Sequence, residues 1–476
     1  MGRDVTRRRL LGAGATIGLG SIAGCSGDGD AGTATETADP TTRATTARTT
    51  EETTTEDEEP VVADGSGLLP AAYVVTKEDG EIRAYDGQTL AVAFSGEAGA
   101  EDGRVLQATF DALADAPTEG GRVFIRRGEY TPDRQLDVAS SYTEVRSDFA
   151  KLTFQDHPRN DGESQTDFAI EARDGPIEHV TIQGLVLDAN KDERSTRTRT
   201  ADVRADVSHV TFRDCIVFGG RSVDGDGGYG IGEDDDADYV TIDNCVVRDS
   251  DRHGYHTSAP HLRIVNSTFL NNAKETGDVF DLAATDAVVA NNHFEGNGHG
   301  IKIDDSDRPG GNIVVTGNVF VDNYLPDVAS GQIEFTDTTV ESVQISDNTF
   351  VLPDVAASET SAHVFFDSDE SLGSVHIRNN HFEGGGPQTL TWFRETGRRI
   401  RTLVVEHNTF ERIPDDVGLL ASAERLLVRD NLFACSGGSG TLEIKECSTG
   451  VVSGNVSYDA SIDVRAELVV ERNHEF

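Results

Sequence analysis

Five short stretches place histidine, lysine and carboxylate side chains at matched positions. They read Tyr229-Gly230-Ile231-Gly232-Glu233, His253-Gly254-Tyr255-His256-Thr257, Gly277-Asp278-Val279-Phe280-Asp281, His299-Gly300-Ile301-Lys302-Ile303-Asp304 and Gly331-Gln332-Ile333-Glu334. Side chains alternate between the two faces of a strand. With Ile231, Tyr255, Val279, Ile301 and Ile333 inward, Gly232, His256, Phe280, Lys302 and Glu334 face outward in one row. His253 and His299 flank that row, and Gly232 leaves a gap beside His256. A lysine held among other cations can lose its proton and act as a base, with His256 or His253 as the partner acid. Glu334 adds a carboxylate to the row, Phe280 a substrate contact, and Asp278, Asp281 and Asp304 lie nearby. Lys302 carries weight because the chain has six lysines against 35 arginines. The competing expectation is an ordinary solvated face.

Two other groups invite chemistry. In Asp224–Asp238, the side chains of Asp224, Asp226, Glu233 and Asp234 are hard oxygen ligands suited to Ca2+, although the spacing is not that of an EF-hand. Arg194, Arg197, Arg199 and Arg204 fall within eleven residues. Guanidinium groups hold carboxylates or sulfates in bidentate fashion, so these four are candidate contacts for an anionic polysaccharide. The alternative is pairing with local acids.

The elements that must position these residues announce themselves by repetition. From about residue 177 one phrase returns: VTIQGLVL, VTFRDCIV, VTIDNCVV, LRIVNSTF, VVANNHF, VVTGNVF, VQISDNTF, VHIRNNHF, LVVEHNTF, LLVRDNLF. One column reads Leu185, Cys215, Cys245, Ser267, Asn292, Asn318, Asn348, Asn380, Asn408, Asn431, Asn455, with neighbours 22 to 32 residues apart. A second reads Val247, Phe269, Phe294, Phe320, Phe350, Phe382, Phe410, Phe433. A period of this length without helical pattern between copies predicts one strand-bearing coil per repeat. Asn tolerates the bend after the strand, and stacked amides bond to each other. His179, His209, Tyr239 and His261 form a further column ahead of successive strands, which predicts turn stacking. Gly103–Leu113 reads as an amphipathic helix, and GGRVFIRRGEYT follows it.

These ladders, and a helix followed by GG-x-V-apolar-x-x-G-x-Y, resemble the right-handed parallel β-helix proteins of the pectate-lyase superfamily over roughly residues 100–476. The resemblance implies an all-β solenoid with an N-terminal capping helix that covers the open end of the coil. It implies ligands along the outer groove, where Lys302 would take the C5 proton of a uronic acid. A calcium would there neutralise the substrate carboxylate. Leu187-Asp188-Ala189-Asn190-Lys191-Asp192 is similar to an insertion after an early coil in the family. Two finer resemblances fail: Gly298-His299-Gly300 lacks the upstream partners of a polygalacturonase motif, and the Asp-Pro-His signature of mannuronan epimerases is missing.

Composition bounds the rest. Thr6-Arg7-Arg8-Arg9-Leu10-Leu11 and the apolar run after it look like a twin-arginine signal, too short for a comfortable membrane span. Ile22-Ala23-Gly24-Cys25 resembles a lipobox, making Cys25 the expected lipidated residue. Residues 26–66 are Thr-rich and acidic with few large apolar side chains, which predicts a disordered linker. Residues 67–120 are read as a β segment plus the capping helix, and 121–476 as the β-helix. The formal charge is -43; without residues 1–66, 72 acids and 35 bases leave about -37. Such a surface excludes general nucleic-acid binding and fits a salt-adapted protein of haloarchaeal type. Cys215 and Cys245 stack in adjacent coils, and Cys435 and Cys447 flank a Gly/Ser loop; either pair could be oxidised outside the cell. The expectation is therefore an extracellular protein, lipid-anchored to the outer face of the cell membrane, monomeric or trimeric. It acts on or binds an acidic polysaccharide, most concretely as a lyase, with glycoside hydrolysis as the other enzymatic expectation. The rival expectation is a non-catalytic adhesin or binder of cell-surface glycans.

Overall fold

In the computed structural model the described residues are 71–115, 120–157, 165–233, 236–257, 259–273, 279–282, 286–304, 310–324, 330–336, 338–354, 361–367, 372–385, 400–412, 419–434, 442–458, 462–464 and 468–475. Cys25, the segment 26–66, Asp234, Asp278 and Cys435 lie outside them.

The repeat closes into coils of three strands. A strand such as Val340–Ser346 runs up to the Asn, a short strand such as Thr349–Asp354 carries the Phe, and a third such as Ser361–Asp367 completes the turn. Strands of successive coils pair in parallel, in register apart from a shift between Val351 and Asp354. Among the described residues this yields sheets of 18, 14 and 9 strands. The chemistry-bearing stretches thus form the third strand of each coil.

Three ladders hold the coils together. Asn348 donates from Nδ2 to the Val315 carbonyl at 2.9 Å and to Asn380 Oδ1 at 3.0 Å. Its own Oδ1 accepts the Asn318 backbone N–H at 2.8 Å. The same pattern recurs from Asn292 to Asn473, so buried amides satisfy the bend at every rung. At the early rungs Cys215 and Cys245 take that place, each donating Sγ–H to a carbonyl of the preceding coil at 3.5 Å. Both thiols are buried and free. The second ladder stacks Phe269, Phe294, Phe320, Phe350, Phe382, Phe410 and Phe433 with centroids 4.7–5.3 Å apart. The third, at the bend before the third sheet, escaped the sequence reading. Asn272, Asn297 and Asn323 chain together there and end on Gln332 and His363. Burial holds the His363 imidazole down to about 3, so it serves as a neutral member of that chain.

The N-terminal end is closed as expected. Helix Asp102–Ala114 buries Val105, Leu106, Phe110 and Leu113 against the coil, and Phe110 meets Phe168 edge-on at 6.3 Å. Buried Asp102 accepts from Lys77 Nζ and the Thr131 N–H, both at 2.7 Å, which ties the helix to its neighbours. Strands Tyr73–Glu78, Glu81–Asp86 and Val92–Glu97 pair antiparallel, and the first pairs in parallel with Gly121–Ile125. The helix and this small meander together shield strand edges that a solenoid would otherwise expose.

Candidate functional site

The third sheet sets the outward row by register. Asp202, Gly232, His256, Asp281, Lys302 and Glu334 are successive partners across strands Thr198–Val203, Tyr229–Glu233, His253–Thr257, Phe280–Leu282, Ile301–Asp304 and Ser330–Thr336. His256, Lys302 and Glu334 therefore share one face. Phe280 does not. It pairs with Tyr255 and Ile301 in the inward row, is fully buried, and packs edge-on against Phe269 and Phe294. Val279 and Phe280 are both buried, so strict alternation fails at that strand, and it is Asp281 that falls in register with His256 and Lys302.

One end of the row is a ring cluster. His256 stacks on Tyr229 at 4.9 Å with planes 5° apart, and His253 lies 5.1 Å from Tyr229 and 5.4 Å from His256. The Arg199 guanidinium sits over the Tyr229 ring at 5.1 Å, and Arg252 donates to Tyr229 Oη at 3.2 Å. The gap expected at Gly232 is filled: a Cβ there would lie 2.8 Å from Asp202 Oδ1. Buried Asp202 is held by Arg199, Arg204 and Thr166 at 3.2–3.3 Å. At the other end, His299 Nδ1 lies 3.5 Å from Glu334 Oε2, and Thr336 donates to Glu334 Oε1 at 3.0 Å. Asp202, Tyr229 and Arg252 were missed by sequence reasoning. Extending the strand alignment one coil back, to Thr198–Val203, would have found Asp202.

The four arginines of the early loop are held locally. Arg194 is buried, donates to the Gln155 carbonyl and pairs with buried Asp167, which His157 also approaches at 3.4 Å. It cannot reach a ligand without breaking that network. Arg197 pairs with Asp226, and Arg199 and Arg204 with Asp202. Of the four, Arg199 also lies over the Tyr229 ring.

Of the residues proposed for calcium, Asp234 lies outside the described residues, and the other three do not converge. Asp224 and Asp226 lie on the exposed hairpin Ser222–Val223/Asp226–Gly227, where Asp226 is taken by Arg197. Glu233 faces the opposite way. It pairs with Val203 and lies beside Thr257 in the inward register, and it accepts from the Tyr255 and Thr257 hydroxyls. Burial pushes its carboxyl up to about 8, so near neutrality it is a protonated acid and a poor ligand. No step is assigned to calcium.

No curated protein sequence matches this chain. Residues 178–369, fewer than half of the chain, match the family described as "Right handed beta helix region". Among solved structures, the chain is similar to a mutant of the tailspike protein of E. coli bacteriophage HK620 in complex with a pentasaccharide. The identity is 12%, with 78% of this chain and 74% of that chain covered and a TM-score of 0.50. It is also similar to PfbA, a surface adhesin of Streptococcus pneumoniae (14%, 80% and 89%, TM-score 0.48). A third is the A-module of the Azotobacter vinelandii mannuronan C-5 epimerase AlgE6 (16%, 78% and 93%, TM-score 0.46). Together with the coil described above, the family match and the tailspike likeness establish an all-β, right-handed parallel β-helix.

Proposed function

We propose that this protein engages an acidic polysaccharide along the outward row of the third sheet. The observation that carries the reading is the common register of His256, Lys302 and Glu334, flanked by His253 and His299. A net charge of -43 repels polyanions. Here, though, Arg199, Arg252 and Lys302 bring positive charge to the row. Rings and hydrogen-bonding groups along one ridge suit a chain of sugars. The tailspike with its bound pentasaccharide supports the same use of this fold.

Binding is favoured over eliminative cleavage by one observation. A lysine base is helped by neighbouring cations, whereas the rung next to Lys302 carries the carboxylate of Glu334. Cleavage with Lys302 as base and His256 as acid is the second reading. Their backbones are two rungs, about 10 Å, apart, which long side chains can bridge. Kinship with the pectate-lyase superfamily, salt adaptation, export, anchoring through Cys25 and a monomeric or trimeric state complete the proposal.

The test is a panel of acidic and neutral polysaccharides in molar salt, read by binding and by ultraviolet absorbance of unsaturated products. Binding to acidic members that weakens about tenfold in Lys302→Ala supports the reading, since a charge-assisted contact contributes about 1.5–3 kcal/mol. Unsaturated products would promote the second reading. Equal binding to neutral glycans, or none at all, sinks both.

A further inference from the structure

Away from the row, the turn ahead of the first sheet carries a surface stack of rings. Tyr142, His179, His209, Tyr239 and His261 follow one another with centroids 4.3–5.2 Å apart. All five adopt left-handed backbone, φ 52–60°, which throws their side chains outward together. Tyrosine serves this stack as well as histidine does, so stacking alone does not call for imidazoles at two consecutive rungs. The His179–His209 pair is also the most steeply tilted inside the stack, at 36° against 5–25° for the others. Beside it stands a carboxylate, Glu178.

We propose that Glu178, His179 and His209 form a divalent transition-metal site that bridges two adjacent coils. One ligand atom from each lies within 4.8 Å of the other two, and among the described residues no other group of three ligating side chains meets that condition. Ligands around such an ion stand about 3.3 Å apart when each bond is about 2.1 Å. Rotation of these half-exposed or exposed side chains closes the difference. The roles follow from the partners. Tyr142 Oη donates to Glu178 Oε1, which leaves Oε2 facing His179 Nε2 at 4.0 Å. Ser208 Oγ lies 3.2 Å from His209 Nδ1, which turns Nε2 of that ring to the metal. Hydroxyls that hold the far side of a ligating imidazole or carboxylate are the outer contacts that metal sites use. Two imidazoles and one carboxylate select borderline cations such as Ni2+, Cu2+ or Zn2+ over Mg2+ and Ca2+. The remaining coordination positions open to solvent. The inference is independent of the polysaccharide reading.

The test is calorimetric titration of the untagged chain with Ni2+ in molar KCl and excess Mg2+, which occupies the many weak carboxylate sites. One saturable Ni2+ per chain is expected. His179→Asn and His209→Asn should each weaken it at least about tenfold, because each removes a ligand. Asparagine keeps the left-handed turn, as at Asn266 and Asn291. Glu178→Gln, which leaves both rings in place, should weaken it as well. Anomalous diffraction from Ni2+-soaked crystals of the unaltered chain gives a readout that needs no variant, with the peak expected between these three residues. Equal affinity in the double histidine variant, a peak elsewhere, or no binding above the Mg2+ background overturns the proposal.

Discussion

Raising the pH through the neutral range should destabilise the folded chain through Glu233, whose carboxyl lies in the inward register beside Tyr255 and Thr257. Its ordinary value is 4.5. Burial, with the Asp202 charge adding to it, pushes it up to about 8 against the opposing Thr257 hydroxyl. The folded state therefore binds a proton that the unfolded state has released. The stabilising contribution is complete below the unfolded value of 4.5 and is lost as pH rises to about 8. At about 1.4 kcal/mol per unit, the loss comes to about 5 kcal/mol. Glu233→Gln keeps the shape and the hydrogen-bonding capacity, since both hydroxyls can donate or accept. Denaturant unfolding of both proteins across this range, at constant molar salt, isolates the effect from the other acids. The two should be similarly stable near pH 4.5, with the variant the more stable above pH 8. Parallel profiles would refute the placement of a neutral carboxylic acid inside the coil.

Three further outcomes are expected. Asn348→Ala leaves the buried Asn318 N–H without its acceptor and should cost about 2–4 kcal/mol in unfolding free energy, with Asn348→Ser costing less because the Ser267 hydroxyl already accepts the equivalent N–H, that of Cys245. A cost below about 0.5 kcal/mol would remove the ladder from the list of stabilising features. Gly232→Ala places a methyl 2.8 Å from Asp202 Oδ1 and should lower stability by about 1–3 kcal/mol, checked by thermal unfolding. Cys215 and Cys245, buried and free, should react with a thiol reagent only once the chain is unfolded; labelling in the native state would contradict their position.

The coil was legible because its signal is repeated. Each Asn and Phe of the phrase sits at the same bend or rung, so one mistaken residue could not hide the column. The third sheet has no such phrase. Its register had to be carried by alternation through Gly277–Leu282, and there Val279 and Phe280 are both buried, which moved Phe280 to the wrong face. Glu233 failed for a related reason. An acid in an acidic turn reads as exposed, and only the Tyr255 and Thr257 hydroxyls, 22 and 24 residues on, make its inward place tolerable. The arginine loop was legible only in part: Arg199 and Arg204 pair with nearby Asp202, the alternative the sequence offered, whereas Arg194 meets Asp167 and Arg197 meets Asp226, both distant in sequence. The Asn272–Asn297–Asn323 ladder needed three coils aligned at a second bend before it could be seen.

The outward row of the third sheet is proposed to receive a polyanionic glycan. A crystal structure of the chain soaked with an acidic oligosaccharide in molar salt tests it most directly. Sugar density is expected along that row, against His256, Lys302 and Glu334, with Tyr229 and Arg199 at one end. Density confined to another face of the coil, with this row bare at saturating ligand, would contradict it.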